Sequence, residues 1–95
     1  MPNPERQEDL EKLRERSLLR EFQEYAAGKG RLKVFRTEAV RAGFKHAWAG
    51  RDFQTIIRVA ERLPESVLQE DPGLLMYYDN ALMRAEKEPA QGRLL

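Results

Sequence analysis

The sequence predicts an all-α fold: a four-helix bundle or stacked helical hairpins with one long N-terminal helix. Three observations carry this expectation. Apolar residues recur at three- to five-residue steps through most of the chain, the spacing of one helix face. No stretch alternates apolar and polar for more than four residues, as a half-buried strand does. Prolines and glycines fall between the periodic segments and punctuate them. Connections this short favour antiparallel neighbours.

The first helix is expected from Glu5 to Ala27. Leu10, Leu13, Leu18, Phe22 and Tyr25 form its stripe. Glu8 with Lys12 and Arg20 with Glu24 are opposite charges one turn apart, each worth about 0.2–0.5 kcal/mol on a helix surface. Gly28 and Gly30 end the helix, since glycine tolerates a left-handed cap. The stripe is narrow, so three outcomes stay open: loose packing, coiled-coil pairing, or fraying.

Leu32 to Phe35 reads as a brief extended segment or as the entry to the next helix. Thr37 is the expected N-cap of a second helix running from Glu38 to Ala49, with Val40, Phe44, Ala47 and Trp48 on one face. Gly43 lies inside it at a cost of about 1 kcal/mol relative to alanine. It is there for a close helix approach or is simply tolerated. Gly50 closes this helix.

Asp52 caps a third helix ending at Leu63 before Pro64, with Phe53, Ile56, Ile57, Ala60 and Leu63 apolar. Ser66 and Gln69 have capping-box spacing over a single turn holding Val67 and Leu68. Asp71-Pro72 is a strong start for the fourth helix, which carries Leu75, Tyr78, Ala81, Leu82 and Ala85 and stops near Pro89. The expected organisation is a disordered segment 1–4, a single helical domain 5–88 (a long charged helix 5–27 and a helical hairpin core 38–88), and a disordered tail 89–95.

Composition bounds the function. A chain of 95 residues buries about 60–65% of its unfolded surface, so its stability is marginal unless it docks on a partner. Absence of cysteine removes disulfides, thiolate nucleophiles and Cys-based zinc sites. No apolar run approaches the roughly 20 residues of a membrane span. Met1-Pro2-Asn3-Pro4-Glu5 lacks the basic-then-apolar pattern of a secretory signal. The expectation is a cytoplasmic protein without membrane contact.

No catalytic constellation stands out. The serines are Ser17, on a charged helix, and Ser66, placed as a cap; neither lies in a Gly-x-Ser-x-Gly turn. His46 is the single histidine, which rules out the paired-histidine zinc helix. It reads as a surface or partly buried helix residue. The carboxylates are spaced as helix surface charge and caps. Gly28-Lys29-Gly30 is too short for a phosphate loop and lacks the following Ser or Thr. The expectation is no enzyme, no metal and no cofactor.

Charge is unevenly spread. Residues 1–28 carry −2, residues 29–58 carry +6, and residues 59–95 carry −3. The basic residues are Lys29, Arg31, Lys33, Arg36, Arg41, Lys45, Arg51 and Arg58. Two readings stay open: they meet phosphate or an acidic partner, or they pair with the acidic flanks inside the fold. Phe35, Phe44, Trp48 and Phe53 interleave with them. Aromatics stack on bases while cations meet phosphates, but helical spacing places them more naturally in the core. Thr37 to Val59 also mimics a helix-turn-helix, although Gly50 and Asp52 give better stop and start signals than Gly43.

Residues 39–82 resemble a degenerate tetratricopeptide-type helical hairpin. Ala42-Gly43 stands at the Leu-Gly step of that family's first helix and Gly50 at its turn glycine. Phe53, Ile56, Ala60 and Leu63 fall near the positions of its second helix, and Asp71-Pro72 leads into a further one. The resemblance implies a scaffold for protein contacts. Lys33 to Arg41, continuing to Val67 through Pro72, is similar to terminal modules of large bacterial DNA-modification or restriction-system proteins. That resemblance implies an accessory segment.

The leading expectation is a non-enzymatic helical protein-interaction or accessory module, free-standing or part of a larger chain, its oligomeric state open. Leu74, Leu75, Met76, Tyr77 and Tyr78 run consecutively round one helix, which calls for burial on two sides. Leu74 and Tyr77 are the candidates to face a partner. Nucleic-acid binding through residues 29–58 is the alternative.

Overall fold

The computed structural model describes residues 4–87, with side chains from Glu8 onward. The expectations for residues 1–3 and 88–95 lie outside the described residues. Five helices follow one another: α1 (Pro4–Ala27), α2 (Thr37–Ala49), α3 (Phe53–Arg62), α4 (Glu65–Glu70) and α5 (Pro72–Lys87). They form the expected all-α bundle. The single turn anticipated around Val67 and Leu68 is the short α4.

α1 packs on α2 and more lightly on α3, and α5 lies against α3, α2 and α4. The core between them is made of Phe22, Val40, Phe44, Ile56, Val59, Leu63, Leu74 and Ala81 with their neighbours. Phe44, Ile56 and Leu74 are fully buried, each worth about 1.5–3 kcal/mol of transfer free energy. A run of edge-on aromatic contacts joins four helices. Phe44 of α2 meets Phe22 of α1 at 5.9 Å and Tyr77 of α5 at 6.1 Å. Trp48 meets Phe53 at 5.0 Å and Tyr77 at 6.2 Å.

Gly43 is where α1 and α2 come closest. A Cβ built there would stand 2.0 Å from Phe22 Cγ. The close-approach reading of this glycine is therefore the right one.

Only the second half of α1 belongs to the bundle. Leu18 and Phe22 are buried, but residues 8–17 are exposed without interruption. The helix projects, and the molecule measures 58 × 31 × 24 Å. At about 100° per residue, the five-residue step from Leu13 to Leu18 turns the stripe by roughly 140°. Leu10 and Leu13 therefore do not continue the core face.

Helix ends follow local chemistry, with some departures from expectation. Arg36, not Thr37, is the N-cap of α2 and makes no side-chain cap. Thr37 is already helical because the Arg36 carbonyl accepts from the Ala39 and Val40 amides. Gly50 ends α2 without a left-handed conformation; Arg51 takes it instead, at φ 60°. That conformation lets the Asp52 N–H donate to the Ala47 carbonyl at 2.8 Å. α4 begins two residues earlier than a capping box at Ser66 requires. Pro64 is its N-cap, so Ser66 lies inside the first turn, and the Gln69 amide reaches Glu65 Oε1 at 3.5 Å.

The caps of α3 and α5 are as expected, whereas Gly28 directly after α1 is not left-handed. Asp52 accepts from the Thr55 amide. Asp71 Oδ1 accepts from the Gly73 and Leu74 amides. Leu63 is extended ahead of Pro64 and ends α3, as a residue before proline should. Gly30 adopts φ +78° in the loop after α1.

Candidate interaction surfaces

Arg62 fastens the long loop between α1 and α2. Its Nε donates to the Gly30 carbonyl and its Nη1 to the Tyr25 carbonyl, both at 2.6 Å. Its own carbonyl accepts from the Leu32 amide at 2.9 Å. One side chain thereby satisfies a carbonyl in the last turn of α1 and one in the loop. Leu32 is drawn into the core while Val34 is left 87% exposed. The segment is a tethered loop with a bend at Val34, outside the helix that starts at Thr37.

A second fastening joins the loop to α1 from the other side. The Arg36 guanidinium meets both carboxylate oxygens of Glu21, at 2.7–3.2 Å. The Tyr25 hydroxyl donates to Glu21 and accepts from the Arg36 amide at 2.9 Å. The Arg36 hydrogen bonds, then that from Tyr25, lower the Glu21 pKa to about 2. Burial and the bond to Glu21 raise the Tyr25 hydroxyl. Glu21 in turn raises the Arg36 guanidinium.

The eight basic residues divide in two. Arg36 pairs with Glu21 from the acidic first segment, and Arg41 pairs with Asp71 from the acidic last one. For these two, neutralisation by the flanks is what the fold does. Lys29, Arg31 and Lys33 are exposed along the tethered loop, Lys45 on α2 and Arg58 on α3. Arg51 holds the turn between α2 and α3. Of the interleaved aromatics, Phe44 and Phe53 are buried, so neither offers a ring to a base. Phe35 and Trp48 are half-buried.

α5 does have two apolar faces, but Leu74 is not on the outer one. It is 0% exposed and packs in the core, because it lies on the same side as Ala81 and Tyr78. Tyr77 is half-buried on the flank against Phe44 and Trp48. The apolar side chains that α5 leaves in solvent are Leu75, Met76 and Met83, at 36%, 62% and 55% exposure. The sequence reading named Leu74 and Tyr77 on this helix, whereas the side chains in solvent include Met76 and Met83. Their seven-residue spacing was the available signal. The Arg84 guanidinium stands 5.9 Å over the Trp48 ring at the edge of this face.

A hollow of about 460 Å³ lies between α1, α2 and α3, lined by Leu19, Phe22, Gly43, His46, Asp52 and Arg58 among others. Its chemistry is limited. Asp52 is occupied by the Thr55 amide and hydroxyl, and His46 is exposed. Ser17 and Ser66 are exposed on α1 and α4. Among the described residues no three His, Asp or Glu side chains gather as a metal-ligand set. Among the same residues, no helix is long and apolar enough to cross a membrane.

Compared with known proteins, the chain matches no family model, no curated protein and no solved structure.

Proposed function

We propose that this chain is a non-enzymatic helical interaction module whose contact surface is the outer face of α5. One observation carries this reading: Met76 and Met83 stand in solvent on the outer side of α5, Met76 beside the half-buried rings of Trp48 and Tyr77. Neither methionine serves the core that α5 packs against, and the pair with the adjoining rings makes an apolar surface open to a partner. Methionine suits such a role, since its flexible, polarisable side chain adapts to an apolar partner. The tetratricopeptide resemblance of residues 39–82 agrees in implying protein contact. The test is a selection of displayed helical peptides on the immobilised chain. Binders should lose roughly tenfold or more in affinity when Met76→Glu and Met83→Glu are combined, and should be indifferent to Arg31→Ala. If no binder emerges, or binders ignore the double variant, the reading fails.

A second reading, nucleic-acid binding, is carried by a different observation: Lys29, Arg31 and Lys33 are exposed on one loop held by Arg62 and Arg36. Such a loop engages phosphate by charge, without base stacking from Phe44 or Phe53. A larger DNA-modification or restriction protein, the setting implied by residues 33–41 and 67–72, would supply the sequence-reading parts.

A further inference from the structure

We infer that the partner of the α5 face is a second copy of this chain, the two α5 helices lying side by side and parallel about a two-fold axis. This rests on the interaction reading above and names its partner. Three observations converge on it.

The first is register. Gly73, Met76, Asn80, Met83 and Lys87 follow one another at steps of three and four. Numbered as heptads, Gly73, Asn80 and Lys87 hold the a positions and Met76 and Met83 the d positions, so the apolar side chains of this stripe are the two d methionines. The stripe lies opposite the buried Leu74 and Ala81, so the fold leaves it unused. Gly73, Met76, Met83 and Lys87 are exposed and Asn80 is half-buried.

The second is shape. A hollow of about 350 Å³ on this face is lined by Gly73, Met76, Tyr77 and Asn80, with Trp48 as a side wall. In a parallel pair each knob enters a hole made by four residues of the facing helix. For a d-position knob those four are an a, the d, the e and the next a. Here they are Gly73, Met76, Tyr77 and Asn80, the same residues that line the hollow. Gly73 opens one end because it has no side chain, and the two rings give a methionine thioether aromatic surface to lie against. The hollow therefore fits Met76 of a second copy, and the symmetry makes the fit mutual.

The third is polarity. Asp79 occupies a g position and Arg84 the e position five residues on. Parallel pairing sets Asp79 of one copy against Arg84 of the other, twice. Antiparallel pairing would instead turn the flank carrying Asp79 and Glu86 against itself, like charge on like. Asn80 at an a position meets its own counterpart in the parallel pair, where the two side-chain amides hydrogen-bond to each other, and the one like-charge meeting, Lys87 with Lys87, falls at the last residue of α5. Two heptads make a small interface, so association is expected at roughly 10–100 µM, not nanomolar.

The experiment is mass by sedimentation equilibrium on the full chain over a wide concentration range, joined to a crosslinking measurement. Wild type should rise from 11.1 kDa toward twice that mass. Met83→Glu, at a solvent-facing position, should keep its helical circular dichroism and stay monomeric. The chain has no cysteine, so Met83→Cys in a glutathione buffer reports geometry directly. It should form a disulfide dimer roughly tenfold more readily than a Ser66→Cys control, because parallel pairing brings residue 83 to its own counterpart. Wild type that stays monomeric throughout, or a dimer that survives both Met76→Glu and Met83→Glu, overturns the self-pairing. Crosslinking no better than the control overturns the parallel arrangement. A monomeric wild type that still binds selected peptides through Met76 and Met83 would overturn the second copy while leaving the interaction reading standing.

Discussion

Phe22 and Gly43 touch so closely that residue 43 has no room for a methyl group. The Phe22 ring lies against the backbone of α2, and a Cβ at position 43 would stand 2.0–2.3 Å from three ring carbons. Phe22 is itself 5% exposed and packed edge-on against Phe44, so moving the ring aside breaks that contact. Gly43→Ala would gain about 1 kcal/mol of helix propensity. It would also force α1 and α2 apart, at a cost of about 1–3 kcal/mol or more. The expected result is a lower urea midpoint for Gly43→Ala, with a larger loss for Gly43→Val. A stabilised Gly43→Ala would show that the α1–α2 contact yields freely.

Arg62 fastens the C-terminal end of α1 to the loop that follows it. Its guanidinium reaches two carbonyls, those of Tyr25 and Gly30, that lie in different structural elements. Arg62→Ala removes both donors, and Arg62→Lys keeps the charge but not the fork. Alanine should cost about 1–3 kcal/mol in equilibrium unfolding, with lysine between it and wild type. Amide exchange should quicken first at Leu32, whose N–H is bonded to the Arg62 carbonyl. Equal stability of all three variants would remove the clasp.

The sequence showed the helices well because their signals are local. Asp52, Asp71-Pro72 and Pro64 act on neighbouring amides, and the structure places them where their spacing predicts. Arg62 was illegible, since its partners Tyr25 and Gly30 are far from it in the chain and only the folded loop assembles them. Ser66 misled because the Pro64 carbonyl, two residues earlier, already started the turn. Leu74 misled for a related reason: five consecutive apolar residues cover every side of a helix, and only the positions of α2 and α3 decide which side is inside. Met76 and Met83 carried a readable heptad spacing that was overshadowed by that run.

The Glu21–Arg36–Tyr25 cluster gives the fold a defined response to acid. Glu21 has a pKa of about 2 in the folded chain against an ordinary 4.5. The unfolded chain thus binds this proton more tightly, and acid favours unfolding. The contribution is fully present above about pH 4.5 and is lost as pH falls toward about 2. Glu21→Gln should therefore be less stable than wild type near neutrality, and the gap should close on acidification through that window. At the alkaline end Tyr25, raised above its ordinary 10.0, stabilises the fold below about pH 10 and ceases to as pH rises further. A gap between wild type and Glu21→Gln that is constant with pH would sever the cluster from stability.

The basic loop can be separated from the basic residues that hold the fold. Arg36 and Arg41 are engaged with Glu21 and Asp71. Replacing them would confuse loss of binding with loss of structure, so they are poor probes of a phosphate-binding surface. Lys29, Arg31 and Lys33 are exposed on the loop and Lys45 on α2, and their replacement leaves both fastenings of the loop intact. If this surface meets nucleic acid, a Lys29→Ala, Arg31→Ala, Lys33→Ala triple variant should keep its unfolding midpoint. It should weaken retention on duplex DNA at low salt and flatten the salt dependence by about one unit of slope for each phosphate left without its cation. Adding Lys45→Ala should deepen the effect. The Met76→Glu and Met83→Glu variants, on a different helix face, should leave retention unchanged. If the triple variant binds as wild type does at every salt concentration, the loop is a solvated surface, and the α5 face alone remains as the contact surface.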